Sequence, residues 1–173
     1  MEKLKLIPFN DPLLKRSPEP FDFEKDNAEE ISEQLLIGMR QFGGVGLSAN
    51  QIGIDKKVFV VGGSGLGLKE KAFFNPELLS VGKTGSTMRE GCLSYPGLWL
   101  NLTRPDTCVL KYQDINGEET ISEFSGVYAR VILHEFDHMV GQNFTQRASS
   151  LKIQRAMKAL DKKVLRHQNR QRS

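Results

Sequence analysis

The most informative segment of the chain is Val131-Ile132-Leu133-His134-Glu135-Phe136-Asp137-His138. Residues four apart on a helix lie on one face, one turn apart. His134 and His138 could therefore bind one metal ion, with Glu135 beside them as a general base. Such a pair also occurs by chance on solvated helix faces, but the glutamate and the preceding apolar run favour a metal-dependent hydrolase.

A catalytic site of this type needs a third protein ligand and an open position for water. No glutamate follows Glu135, and Phe144 stands where an HExxHxxGxxH pattern would place a third histidine. Asp161 and His167 remain downstream, but both lie in a basic C-terminal segment. We therefore expect the third ligand upstream of the histidine pair.

Cys92 is the best upstream candidate. Glycines and a proline bracket it in Glu90-Gly91-Cys92-Leu93-Ser94-Tyr95-Pro96-Gly97, which predicts a turn or bulge. A thiolate there could complete a Cys-His-His set, although a buried structural role is commoner for a free cysteine. Cys108 fits that structural role better, because it lies in an apolar run of strand character.

Three segments of the chain resemble motifs of the peptide deformylase family, whose members remove the formyl group from nascent N-formylmethionyl chains. They are GVGLSANQ at 44–51, similar to the family's GxGLAAxQ, then EGCLS at 90–94, and HEFDH at 134–138, similar to HExDH. A weaker match is Asp11-Pro12-Leu13-Leu14 near the N-terminus. The motifs follow the family's order, and the resemblance extends over nearly the whole chain.

The resemblance implies the roles of the main site residues. Cys92, His134 and His138 would bind the metal, and Glu135 would activate a metal-bound water. The side-chain amide of Gln51 and the backbone N–H of Leu93 would stabilise the oxyanion that forms at the formyl group. The family's metal is generally ferrous iron, so we expect Fe(II), with zinc, nickel or cobalt as substitutes.

The resemblance also implies how the substrate binds. The segment Val45-Gly46-Leu47 would pair with the peptide like an added strand, which reads main chain and tolerates many sequences after the first methionine. Glycines at positions 44 and 46 would let the peptide backbone approach closely. The residues assigned to the substrate on this basis are Gly44, Val45, Gly46, Leu47, Gly91, Arg130 and Val131.

Several residues depart from the family pattern. Ser48 replaces the commoner alanine, and Trp99 stands where many members carry an arginine that pairs with the motif glutamate. Glu90 would then pair with Arg104, or with no residue. Arg130 lies one turn before His134, where an apolar residue often lines the methionine pocket; its stem could line the pocket while its head reaches water.

The local patterns predict an α+β fold, with small, mostly antiparallel sheets packed around a central helix that carries the histidines. An N-terminal helix is expected from Asp26 or Asn27 to about position 41, and the metal-binding helix from about 126 to 140, with Gly141 as its stop. A strand is expected at 57–61, a flexible glycine loop at 62–67, and short strands on either side of Asn75-Pro76. Asn116-Gly117 predicts a hairpin.

The 173 residues fit one domain spanning 1–173. No stretch approaches the length of a membrane-spanning helix, and no signal peptide is visible. Two cysteines, one of them a candidate ligand, do not make a disulfide framework. We therefore expect a cytoplasmic protein with no membrane partner, and a mature organellar form is the less favoured alternative.

The C-terminal segment, at about 150–173, is strongly basic. From position 147 onward there are nine Lys and Arg and one acid, which gives +8 against −5 for the remainder and +3 overall. Ser149 or Ser150 would cap a helix with an inward line of Ile153, Met157, Leu160 and Val164. Its basic residues could dock on the ribosome near the exit tunnel, and a solvated surface helix is an equally good interpretation. These residues are Lys152, Arg155, Lys162, Lys163, Arg166 and Arg170.

Overall fold

The computed structural model describes the backbone of residues 4–63 and 67–172, and the side chains of these residues up to position 162. Within this part the chain forms the predicted α+β fold. The strands are β1 (Gly46–Ser48), β2 (Val58–Gly63), β3 (Leu68–Val81), β4 (Gly85–Gly91), β5 (Trp99–Pro105), β6 (Thr107–Gln113) and β7 (Glu119–Ser125). The α-helices are α1 (Ala28–Gln41), α2 (Gly126–Met139) and α3 (Ser150–Arg172), and short 3₁₀ helices lie at Pro12–Lys15, Ala49–Ile52 and Phe144–Arg147.

Both sheets are antiparallel. Five strands form one sheet in the order β1-β2-β3-β6-β7, and β4 pairs with β5 in a second sheet. Helix α2 packs against β1 and β2, and its Ala129, Ile132 and Leu133 share an apolar cluster with Phe59 and Phe73. This burial fixes the rotation of α2, so the face that carries the two histidines turns toward the second sheet and the start of the loop after β4.

The ends of α1 and α2 follow the predicted caps. The side chain of Asn27 accepts a hydrogen bond from the backbone N–H of Glu30 at the start of α1. Gly141 follows α2 with a φ of 71°, a left-handed conformation that glycine adopts without strain. A Cβ at this position would lie 2.7 Å from the backbone of Arg16, so the helix ends where a side chain could not fit.

The region around Asn75-Pro76 differs from the prediction. Instead of two short strands, β3 runs continuously through both residues. The register with β6 shifts between Phe74 and Glu77, and Asn75 has a φ of 47°. An irregularity of this kind lets a strand accommodate a proline that cannot donate to the sheet. Of the predicted glycine loop, Gly62 and Gly63 belong to β2, whereas 64–66 lie outside the described residues.

The sequence patterns did not identify β4 and β5, the two strands of the second sheet. Strand β5 alternates exposed and buried residues, with Leu100 and Leu102 directed inward. This two-residue period was the available signal. The predicted hairpin is present between β6 and β7, where Gly117 has a φ of 81° and its N–H donates to the carbonyl of Asp114.

The C-terminal helix packs through a different line than expected. Ile153, Ala156 and Leu160 are half-buried, whereas Met157 is 46% exposed. Leu160 contacts the bare backbone of Gly97, where an added Cβ would lie 2.8 Å from its Cδ1. The side chains of Val164 and of the later basic residues lie outside the described part. No helix in that part is both long and apolar enough to cross a membrane.

Candidate active site

Three predicted metal ligands come together in the structure. Helix α2 presents His134 and His138 one turn apart, with ring centroids separated by 5.7 Å. Cys92 follows β4 directly, in a turn where the N–H of Tyr95 donates to its carbonyl. The candidate ligand atoms of these three residues all lie within 4.8 Å of one another.

The geometry of these atoms fits a divalent metal. Sγ of Cys92 lies 3.5 Å from Nε2 of His138, close to the roughly 3.6 Å separation expected in a tetrahedral site with ordinary metal–sulfur and metal–nitrogen bonds. Nδ1 of His134 lies 3.3 Å from Oε2 of Glu90, which leaves Nε2 of this ring available. When a histidine binds a metal through one ring nitrogen, a carboxylate bonded to the other nitrogen fixes the orientation of the ring. One thiolate and two imidazoles suit zinc or iron, and do not choose between them.

The two cysteines have opposite electrostatic environments. Burial alone would raise the pKa of Cys92, but hydrogen bonds with His134 and His138 outweigh it and lower the pKa to about 5. Burial raises the pKa of Cys108 to about 11. Cys92 is therefore biased toward the thiolate that binds metals, whereas Cys108 is a neutral thiol within the apolar core.

The pKa of His134 is shifted in the opposite direction to that of Cys92. Burial would lower its pKa, but hydrogen bonds with Cys92 and Glu90 raise it to about 10. The ring is thus held between a thiolate and a carboxylate. A metal that binds here would displace the proton from its Nε2, as expected when metal binding releases protons.

Glu90 is paired by two arginines from different elements. Nε of Arg104 on β5 lies 2.9 Å from Oε1, and Nη1 of Arg130 on α2 donates to the same oxygen. Burial would raise the pKa of Glu90, but hydrogen bonds with His134 and Arg104 lower it to about 2. The pair with Arg104 is one of the two outcomes that the sequence left open. Trp99 is half-exposed instead, with the guanidinium of Arg89 5.0 Å from its ring centroid.

The head of Arg130 does not reach water, contrary to expectation. The residue is 6% exposed, and Nη1 donates to the carbonyl of Leu102 as well as to Glu90. Nη2 lies 2.6 Å from the carbonyl of Ser86. The guanidinium therefore fastens α2 to both strands of the second sheet, because its donors are taken up by groups on β4 and β5.

The carboxylate of Asp137 pairs with arginines and not with the ring of His134 or His138. Nη1 of Arg104 lies 3.0 Å from its Oδ2, and Nε of Arg147 lies 2.7 Å from the same atom. Arg147 belongs to the 3₁₀ helix that precedes α3. The aspartate thus links α2 to the second sheet and to the C-terminal region.

Glu135 and Gln51 are the other two predicted catalytic side chains beside this cluster. Glu135 is 4% exposed, and burial raises its pKa. Oε1 of Gln51 accepts the backbone N–H of Ser48 at 2.9 Å, and Nε2 donates to Oγ of Ser94 at 3.0 Å. Nε2 also lies 3.5 Å from Sγ of Cys92, so the donor end of the amide points toward the metal ligands.

A cavity of about 720 Å³ opens beside this cluster. Predicted site residues on its wall are Gly44, Val45, Gly46, Gln51, Gly91, Cys92, Leu93, Arg130, Val131, His134 and Glu135. Leu47 is absent from the wall, because its side chain is fully buried in the apolar cluster on the opposite face of β1. The sequence did not identify Met88, Trp99 and Val127, which also line the cavity. Helical spacing from Val131 and His134 could have identified Val127.

Comparison with known proteins gives a consistent result. The sequence profile of the family described as polypeptide deformylase matches residues 3–154. A protein of Chlorobium phaeobacteroides named peptide deformylase is 38% identical in an alignment of 164 positions that spans 89% of this chain and 86% of that protein.

Two solved structures are similar in both sequence and fold. The peptide deformylase of Thermotoga maritima superposes with a TM-score of 0.80 at 33% identity, covering 86% of this chain and 99% of that one. A peptide deformylase from Synechococcus elongatus, solved in complex with actinonin, has a TM-score of 0.84 at 29% identity. That match covers 93% of this chain and 88% of the other.

Proposed function

The chain belongs to the polypeptide deformylase family of enzymes, and we propose that it hydrolyses the formamide bond of N-formylmethionyl peptides and releases formate. The observation that carries the proposal is one cavity whose wall combines a thiolate–imidazole ligand set with a carboxylate and an amide donor. These groups belong to Cys92, His134, Glu135 and Gln51. They are the parts that hydrolysis of a small amide requires.

Cys92, His134 and His138 would hold the metal, which we propose to be Fe(II), with zinc, nickel or cobalt as alternatives. A divalent ion bound there would lower the pKa of water and make hydroxide available near neutral pH. Glu90 keeps His134 in the orientation that directs Nε2 toward the ion.

Glu135 would act as the general base and then as the general acid. Oε2 of its carboxylate is engaged by Oγ of Ser48, so Oε1 is the atom that takes the proton from water. The same oxygen would deliver the proton to the leaving amine. Burial raises the pKa of Glu135, so its carboxylate takes the proton from water more readily than an exposed glutamate would.

Gln51 and Leu93 would stabilise the developing oxyanion. As the formyl carbon becomes tetrahedral, its oxygen gains negative charge and needs donors already in place. Nε2 of Gln51 faces the ligand cluster because Oε1 is held by the backbone of Ser48. Leu93 follows Cys92 and lines the same cavity, so its backbone N–H is the second donor that we propose.

The peptide would bind along β1. This strand is at the edge of the five-stranded sheet, so a substrate strand can add to it through main-chain hydrogen bonds. The methionine side chain would enter the cavity, whose wall is mostly apolar and includes Val131, Gly91 and the stem of Arg130. Gly44, Val45 and Gly46 form part of the same wall.

The proposed partner is therefore the nascent chain as it leaves the ribosome. The exposed basic residues Lys152, Arg155, Lys158 and Lys162 on α3 support docking to ribosomal RNA through phosphate contacts. Both cysteines are free, and a reducing cytoplasm would preserve the thiol of Cys92 as a metal ligand.

The test is formate release from a short N-formylmethionyl peptide by protein purified without oxygen and loaded with Fe(II). We expect turnover that disappears in Glu135→Ala and Cys92→Ser, and that survives in Cys108→Ser. Absence of formate release from folded, metal-bound protein would reject the proposal. Cleavage of internal peptide bonds without formate release would assign the site to a different hydrolase.

A further inference from the structure

Ser48 contacts both side chains to which we assign proton transfer and oxyanion binding. Its Oγ lies 2.7 Å from Oε2 of Glu135, and its backbone N–H donates to Oε1 of Gln51 at 2.9 Å. Ser48 is fully buried and is not part of the cavity wall. Ser48 therefore contacts the side chains of Glu135 and Gln51 on the side away from the cavity, and it does not contact the space that the substrate would occupy.

The short strand β1 explains why this contact forms. Alternate residues of a strand face the same side, so Gly46 and Ser48 face α2 while Leu47 enters the core between them. A Cβ at position 46 would lie 2.4 Å from Oε1 of Glu135. The bare backbone at Gly46 therefore makes room for the carboxylate, and the hydroxyl two residues later holds it.

The two oxygens of Glu135 have different environments. Oε2 accepts the Ser48 hydroxyl at a distance typical of a charge-assisted hydrogen bond. Among the described residues no group donates to Oε1, yet Oε1 is not one of the buried polar atoms that lack a partner. Oε1 therefore remains accessible from the cavity. The Ser48 hydroxyl holds Oε2 in place and leaves Oε1 as the oxygen that can exchange a proton.

We propose that Ser48 is a positioning residue of the enzyme: its hydroxyl restrains the carboxylate of Glu135 so that Oε1 faces the cavity, while its backbone N–H orients the amide of Gln51. The inference rests on the proposed deformylation. It assigns to the strand that would bind the peptide a second task, which is to orient the general base. Ser48 acts through Glu135 and Gln51 and does not contact the substrate.

Ser48→Ala tests the hydroxyl alone, because the backbone N–H to Gln51 remains. Alanine is the commoner residue at this position of the family motif, so the variant is expected to fold. We expect kcat to fall about fivefold to tenfold, a small part of the contribution that general bases make, with KM unchanged. Ser32→Ala is the matched control, since Ser32 is also a buried serine, in α1, and its hydroxyl has no partner among the described residues.

A second readout requires no substrate. In Zn(II)-loaded protein labelled with carboxyl-¹³C glutamate, the Glu135 resonance can be assigned by its loss in Glu135→Gln. We expect Ser48→Ala to shift this resonance. Ser94→Ala, which removes a hydroxyl bonded to Gln51 instead, should leave it in place.

An unmoved Glu135 resonance in Ser48→Ala would overturn the inference, and so would a kcat within about twofold of the parent or a rise in KM with kcat unchanged. Because the resonance is recorded without peptide, it tests the positioning contact even in a protein that releases no formate. A parent protein without formate release would reject the proposed function only.

Discussion

Arg130 donates from Nη1 to Oε1 of Glu90, and both side chains are buried. Glu90 in turn lies 3.3 Å from Nδ1 of His134. Arg130 on the cavity wall and His134, a candidate metal ligand, therefore share one carboxylate. A change in the wall at this position also removes a buried charge pair, so its effects on substrate binding and on stability have to be measured separately.

We predict that Arg130→Ile changes KM more than kcat, because Arg130 lines the cavity whereas the proposed reactive groups of Glu135 and Gln51 are not altered. Steady-state kinetics with formyl peptides that differ in the first side chain measure this. The variant should also lose about 3 kcal/mol of unfolding free energy, since a broken buried pair leaves uncompensated charge. An unchanged KM across several first residues would contradict the role in substrate binding.

The buried ion pairs of Arg104 predict that this side chain contributes strongly to the free energy of unfolding. This fully buried guanidinium bonds Glu90, Asp137 and the carbonyl of Leu133. Arg104→Met should lower the unfolding free energy by about 3 kcal/mol or more, measured by urea denaturation at neutral pH. The matched control is Arg40→Met, because Arg40 pairs with Glu70 in solvent, where screening leaves such pairs little net effect. Equal losses in the two variants would refute the prediction.

Metal removal should destabilise the protein. A ligand present at a thousand times its Kd stabilises the folded state by about 4 kcal/mol, which corresponds to roughly 10 °C in melting temperature for a chain of this size. Thermal unfolding with and without a chelator measures the difference. In Cys92→Ala the two melting curves should nearly coincide, whereas Cys108→Ala should keep the difference. A full metal effect in Cys92→Ala would show that the ion binds elsewhere.

The basic face of α3 can be tested without disturbing its packing. Lys152, Arg155, Lys158 and Lys162 are exposed, whereas Leu160 packs in an apolar cluster with Leu98 and Leu100. Deleting the helix would uncover that cluster, so charge reversal of the four basic residues is the sharper change. We predict at least a tenfold loss of ribosome cosedimentation at low salt. Reversal of Lys69 and Lys83 provides the control, and undiminished cosedimentation of the α3 variant would remove the docking proposal.

The local features of this fold followed from short-range rules. The cap at Asn27, the stop at Gly141 and the turn at Gly117 each depend on a few neighbouring residues. The spacing of His134 and His138 placed both rings on one side of α2 for the same reason. Strand β3 and the second sheet were harder to predict from the sequence. The irregularity at Asn75-Pro76 depends on the pairing of β3 with β6, and the second sheet depends on the pairing of β4 with β5.

In the candidate site, too, some features were predicted from the sequence and others depend on long-range packing. The sequence, read with the family resemblance, identified Cys92, Glu135 and Gln51, and the structure places all three at the cavity with the donor end of Gln51 toward Cys92. It also placed the head of Arg130 in solvent, and this side chain is buried instead. The pairing of Leu47 with the peptide through its main chain stays a prediction, because the burial of Leu47 concerns its side chain only. Strand alternation turns Leu47 inward, and the carbonyls and carboxylate around Arg130 make burial of its charge favourable.

The sequence alone identified the residues that could carry the proposed chemistry, because residues four apart on a helix lie on one face and the family motifs mark the remaining groups. How those groups are held depends on the tertiary structure. Glu90, Arg104 and Arg130 come from β4, β5 and α2, and Ser48 meets Glu135 across a separation of 87 residues. Such contacts depend on the packing of whole elements, which no local pattern of residues specifies.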